Sequence, residues 1–147
     1  MNKQNSKAFD FVDYERKTDK LIEKLFSASF CSNAKWRKCF SLLEDIAADM
    51  QVVWKFVGSQ NNGVRYGLPS VESLEENMLS SRFWYGPLFY KEIEWIEFPE
   101  VGKSYGKENI PAAHYKQNID TVLDALNKIG QWQIEKTDLG FRLYGHQ

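Results

Sequence analysis

Histidine and cysteine are scarce in this chain, two of each in 147 residues, and that scarcity removes several classes of function. Cys31, Cys39, His114 and His146 form no zinc-ligand spacing, so no metal and no cofactor is expected. Cys39 shares a helical face with Trp36 and Phe40 and reads as a small core residue, and a disulfide to Cys31 is not expected. His146 is the penultimate residue, a position where disorder is expected. That leaves His114, between Ala113 and Tyr115, as the one candidate general base, with no recognisable nucleophile beside it. No catalytic residue is assigned.

Long apolar runs are also missing. No stretch of eighteen or more apolar residues occurs, so no membrane span is expected, and the polar start of the chain has no apolar core of a secretory signal. Together with the sparse cysteines this predicts a reducing, cytoplasmic setting. Excess charge of either sign is absent too: the net charge is −1, which argues against a nucleic-acid partner. Gly102-Lys103-Ser104 has the ending of a phosphate-binding loop, but Glu97 stands where the required earlier glycine belongs, and no helix follows.

What is present is the composition of one globular domain: 43% of the residues are hydrophobic, 15% are aromatic and 27% are charged. A chain of this length buries enough surface to fold alone. Residues 1–12 lead loosely into a first helix that starts at Asp13 or Thr18 and carries Leu21, Ile22, Leu25 and Phe26. Ser32 or Asn33 caps a second helix, in which Trp36, Cys39, Phe40, Leu43, Ile46, Ala47 and Met50 share one face. Residues 51–57 switch to a strand, Asn62-Gly63 turns the chain, and residues 64–68 return as its hairpin partner. Val71, Leu74, Met78 and Leu79 suggest a short third helix with Glu72, Glu75 and Glu76 in its early turns. After an irregular loop over 100–111, Asn118 or Asp120 caps a helix that Gly130 stops, and a terminal hairpin turns at 137–140. The order is ααββ(α)βαββ: a single α+β domain over 1–147, with a mostly antiparallel sheet of about five strands packed against helices.

Residues 83–99 hold seven aromatic side chains and the best strand signal. Period two places Phe89, Ile93 and Trp95, with Lys91 and Glu97, on the side expected to face the core, and Tyr90, Glu92, Glu94, Ile96 and Phe98 on the other. Charge is uneven as well. Residues 1–40 carry nine Lys/Arg against five Asp/Glu, and residues 71–100 carry seven Glu against Arg82 and Lys91. Glu92 and Glu94 stand roughly 6.5 to 7 Å apart along a strand, a spacing open to a solvated face, an acidic docking surface or paired acids. Aromatics beside carboxylates are the mix expected of interface anchors with a charged rim, although cores use the same rings.

Asn33-Ala34-Lys35-Trp36 at the head of a helix, followed by Tyr90-Lys91-Glu92-Ile93-Glu94-Trp95-Ile96-Glu97, resembles a family of small bacterial proteins known as a domain of unknown function, over residues 33–145. Such proteins resemble the immunity proteins of polymorphic or contact-dependent toxin systems. The resemblance implies a non-enzymatic cytosolic protein that binds a basic toxin domain, such as a nuclease, and covers its active site. Trp84, Tyr85, Tyr90, Glu92, Glu94 and Glu97 are the candidate partner-binding residues. The alternatives are a small enzyme using His114 and a carboxylate, or a housekeeping adaptor.

Overall fold

The computed structural model describes residues 9–103 and 113–147. Its helices are α1 (Phe11–Leu25), α2 (Asn33–Ala47) and α3 (Ile119–Ile129). Its strands are β1 (Gln51–Phe56), β2 (Val64–Gly67), β3 (Met78–Leu79), β4 (Leu88–Phe89), β5 (Ile93–Pro99), β6 (Val101–Lys103), β7 (His114–Lys116), β8 (Ile134–Lys136) and β9 (Gly140–Tyr144). Five of these strands form one antiparallel sheet in the order β2-β1-β5-β9-β8, and β3-β4 and β6-β7 are two-stranded ribbons beside it. The protein is a single α+β domain, as the hydrophobic pattern predicts.

Each helix begins on a side-chain cap. Asp10 Oδ1 accepts from Asp13 N at 3.1 Å, Ser32 Oγ from Lys35 N at 3.1 Å and Asn118 Oδ1 from Thr121 N at 3.2 Å, each satisfying an N–H that the helix leaves unpaired. The Asp10 cap starts α1 earlier than Asp13 or Thr18, so Phe11 and Val12 are helical, while residues 1–8 of the expected loose lead lie outside the described residues. α2 buries Trp36, Cys39, Phe40 and Leu43, and α3 buries Ile119, Val122 and Leu126. These pack with Val52, Trp54, Ile93, Ile96, Phe98, Phe141 and Leu143 of the sheet into one core. Phe40 meets Trp36, Trp54 and Tyr90 at ring-centroid distances of 5.4, 5.7 and 6.4 Å.

The core face of β5 differs from the expected one. Lys55 pairs with Trp95 but Phe56 pairs with Ile93, so Glu94 is an extra residue in the strand. This bulge breaks the alternation: Ile93 joins Ile96 and Phe98 in the helix-side core, and Trp95 points to the opposite side of the sheet with Glu97. Trp95 is still buried, because the Arg142 guanidinium lies 3.8 Å from its ring centroid and Gly63 of the β1–β2 turn abuts it. Gly63 has φ +128°, a conformation that side chains other than glycine rarely adopt.

Three other expectations need correction. The third helix is only a single 3-10 turn, Val71–Ser73, after which Leu74 bridges Leu79 and the chain enters the β3–β4 ribbon. Ser73 Oγ donates to Ser70 O at 2.7 Å and Glu44 accepts from Val71 N at 2.8 Å, local bonds that compete with helix propagation. The loop over 100–111 contains β6, paired with β7; residues 104–112 lie outside the described residues. The chain end is also not loose. Gln147 exchanges backbone hydrogen bonds with Ala28, and His146 is buried, stacked on Phe26 at 5.3 Å.

Gln117 acts as a substitute strand residue where β1 begins and β5 ends. Its Oε1 accepts from Gln51 N at 2.8 Å, and its Nε2 donates to Gln51 O at 3.0 Å and Pro99 O at 2.9 Å. Gln117→Ala strands these buried backbone groups and is expected to destabilise the protein by about 2–4 kcal/mol, measured as a lower urea midpoint. The exposed Gln131→Ala should change stability by less than about 0.5 kcal/mol.

Candidate functional site

The connection from β2 to β5 carries most of the candidate residues, and the fold sends them to different environments. Trp84 and Tyr85 follow the buried Phe83 in the turn before β4. Tyr85 is half exposed and stacks on Phe56 at 4.4 Å, while Trp84 is partly buried and packs on Tyr66 of β2 at 4.4 Å. Tyr66, 41% exposed, completes a surface ladder of three aromatic rings. Tyr66 carries no interface signal in the sequence, because the fold alone brings it against Trp84. The same connection presents Glu72, Glu75 and Glu76 to solvent, with Arg82 paired to Glu72 at 2.9 Å.

Tyr90, Glu92 and Glu97 are buried, so they are not available as a docking surface alongside Trp84 and Tyr85. Tyr90 is fully enclosed beside Phe40, and its hydroxyl donates to Glu75 O at 2.7 Å; burial pushes its pKa up to about 12. Glu97 lies on the sheet side opposite the helices, where Arg142 Nη2 approaches at 3.2 Å and the Thr137 hydroxyl donates to it. Tyr144 continues this network, accepting from Arg142 and donating to Glu135 at 3.0 Å. Glu94, at the bulge, is partly buried with Lys55 Nζ 3.6 Å away. Two backbone N–H groups, Gly145 and His146, converge on its carbonyl at 2.7 and 3.1 Å.

Glu92 sits in the 3-10 turn Tyr90–Glu92 that separates β4 from β5. One carboxylate oxygen accepts from Phe89 N at 2.9 Å, and the other accepts from the Tyr14 hydroxyl of α1. Burial raises the Glu92 pKa above its ordinary value, and the bonds from Tyr14 and Phe89 oppose that rise. The Tyr14 pKa is raised as well, first by burial and then by its bond to Glu92. Next door, Lys91 reaches back to α1, 2.5 Å from Glu15 and 2.9 Å from Asp19.

The histidines are separated. His114 is exposed on β7, and among the described residues no carboxylate is paired with it. His146 Nε2 lies 2.7 Å from the Lys91 carbonyl and Nδ1 lies 2.6 Å from Ser29 Oγ. The carbonyl can only accept, so Nε2 carries the proton and Nδ1 accepts from the serine in the neutral ring. Burial lowers the His146 pKa accordingly. Both thiols are free and burial raises them, Cys31 to about 12. Among the described residues no cluster of His, Cys, Asp or Glu is suited to a metal ion, and no helix is long and apolar enough to cross a membrane.

The chain matches no protein-family model, no curated protein and no solved structure. What the fold and the surface define is an antiparallel α+β domain with an exposed aromatic ladder and a buried carboxylate beneath its first helix.

The raised pKa of Glu92 has a sign in stability. The folded state holds the Glu92 proton more tightly than the unfolded chain does, so folding is favoured at low pH and this contribution is lost as pH rises from 4.5 through the folded value. The difference in unfolding free energy between the wild type and Glu92→Gln, followed by urea denaturation from pH 4 to 7, should therefore move in favour of the variant as pH rises. A difference that is flat with pH would contradict the desolvated carboxylate.

Proposed function

We propose that this chain is a non-enzymatic, cytoplasmic immunity protein that neutralises a basic toxin domain, such as a nuclease, by covering its active site. The observation that carries the reading is the ladder formed by exposed Tyr66 and Tyr85 on either side of the partly buried Trp84, with Trp84 and Tyr85 on the same connection as the exposed Glu72, Glu75 and Glu76. Large amphipathic rings contribute contact area at low cost in conformational entropy, and Trp and Tyr dominate the residues whose loss weakens interfaces most. Carboxylates exposed on the same connection steer a basic partner toward the molecule.

This reading moves the docking residues. Trp84 and Tyr85 remain, Tyr66 joins them, the buried Tyr90 leaves, and the exposed Glu72, Glu75 and Glu76 take the place of Glu92, Glu94 and Glu97. Tyr85 is supported from beneath by Phe56, so its orientation is set before a partner arrives. Preorganisation of this kind lowers the ordering cost of association.

The test begins with the partner co-purified from the source cell at low salt. Expressed alone, that partner should arrest growth, and co-expression of this protein should restore it. The triple variant Tyr85→Ala, Glu75→Lys, Glu76→Lys should keep its thermal midpoint and bind the partner at least tenfold more weakly, a loss of about 1.4 kcal/mol or more. A partner that is harmless on its own, or undiminished binding by the folded variant, overturns the proposal.

A further inference from the structure

A cavity of 420 Å³ opens between the start of α1 and the β3–β4 ribbon. It is lined by the rings of Phe9, Phe11, Tyr14 and Phe89, with Met78 and Pro87 between them. Glu92 is the only charged residue lining it among the described residues. The four rings meet in a closed circuit. Phe9 and Phe11 touch edge to face at 4.8 Å, and Phe11 stands at 88° to Phe89 at 6.2 Å. Phe89 faces Tyr14 at 6.2 Å, and Tyr14 returns to Phe9 at 5.3 Å.

Aromatic faces carry the negative end of a quadrupole, so a ring that turns its face to a space attracts a cation placed there. The Glu92 carboxylate adds a full negative charge. It is 6% exposed, and its two oxygens hold one donor each, both from uncharged groups. The Lys91 ammonium lies 5.7 Å from the Phe89 ring centroid but is not among the lining residues, and it is held by Glu15 and Asp19. Glu92 therefore has no ion-pair partner among the described residues, although a buried charge is costly without one. A ligand cation would supply the partner.

The walls also select the kind of cation. A primary ammonium is held by several hydrogen-bond acceptors converging on it, and the only charged acceptor among the described lining residues is Glu92, each of whose oxygens already holds one donor. An alkylated ammonium is weakly hydrated, needs no acceptor, and packs its methyl groups on ring faces. The volume lies toward the small end of the range for ligand pockets.

We infer that this cavity binds a small quaternary or methylated ammonium ion, with the four rings enclosing its methyl groups and Glu92 supplying the counter-charge. None of Tyr66, Trp84 and Tyr85 lines this cavity, and the inference does not rest on the toxin-binding reading. A ligand that carries its own carboxylate would be repelled by Glu92, so choline is favoured over glycine betaine.

The test is a calorimetric titration of the full chain with choline, with 3,3-dimethylbutan-1-ol, its uncharged isostere, and with glycine betaine. The Met78 methyl signal, followed by NMR, reports the place of binding. Choline should bind saturably and shift Met78, with the alcohol and betaine each at least tenfold weaker. Glu92→Gln keeps an acceptor for the Phe89 N–H and should narrow the preference for choline over the alcohol to the part that the rings supply. Phe11→Ala, at the partly exposed start of α1, removes one wall without opening the core and should weaken choline at least tenfold. The inference is overturned if choline does not saturate the wild type, if the alcohol binds as well as choline does, if Met78 is unmoved, or if Phe11→Ala binds choline unchanged.

Discussion

A carboxylate withdrawn from water must be met by donors, and Glu92 draws its donors from two separate parts of the chain. The Phe89 N–H comes from three residues earlier and closes the turn into β5, while the Tyr14 hydroxyl comes from 78 residues earlier and fastens α1. The backbone carbonyl of Glu92 also accepts from Val57 N at 2.7 Å, just beyond β1. One residue thus joins the first helix, the β4–β5 turn and the end of a central strand. The neighbouring Lys91 reinforces the same contact through Glu15 and Asp19, and its carbonyl accepts from His146, which ties in the C-terminal segment. The arrangement keeps a charge in a largely apolar place, and the cavity over Glu92 is a consequence of holding α1 there through aromatic rings.

The bulge at Glu94 is the second constraint. Without it, Ile93 and Trp95 would share a face, and the helix-side core would receive Trp95 in place of Ile96. With it, Ile93, Ile96 and Phe98 fill the core under α2 and α3, and Trp95 is free to stack under Arg142 on the far side. The far side is built from charged and aromatic side chains bonded to one another. A buried ion pair such as Arg142–Glu97 contributes little net stability once desolvation is counted, so the apolar core under the helices carries most of the folding free energy.

The parts of the fold legible in the sequence are those specified locally. α2 and α3 each combine a capping side chain with an apolar stripe of helical period, and Asn62-Gly63 turns two strand-like runs into a hairpin. Residues 71–79 show the limit of this logic, since helical spacing there is outweighed by the bonds that Ser73 Oγ donates to Ser70 O and Val71 N donates to the Glu44 carboxylate, and by the pairing of Leu74 with Leu79. The Glu94 bulge inverts a face by one residue and leaves no compositional trace. Glu92 reads as an outward strand residue because its partner Tyr14 is remote in sequence, and His146 reads as a loose end because Ser29 and Phe26 are equally remote. Of the candidate site, Trp84 and Tyr85 were visible as aromatics in a turn. The cage of Phe9, Phe11, Tyr14 and Phe89 was not, because only the tertiary fold brings α1 to β4.

Both the fastening of α1 and the ligand site depend on Glu92 being a desolvated carboxylate with no ion-pair partner among the described residues. Its titration, followed through the side-chain carboxyl carbon by NMR with and without saturating choline, measures that state directly. Without ligand, Glu92 should titrate above the ordinary glutamate value, and with choline bound its pKa should fall, because the cation stabilises the ionised form. An ordinary pKa that choline leaves unmoved would contradict the account.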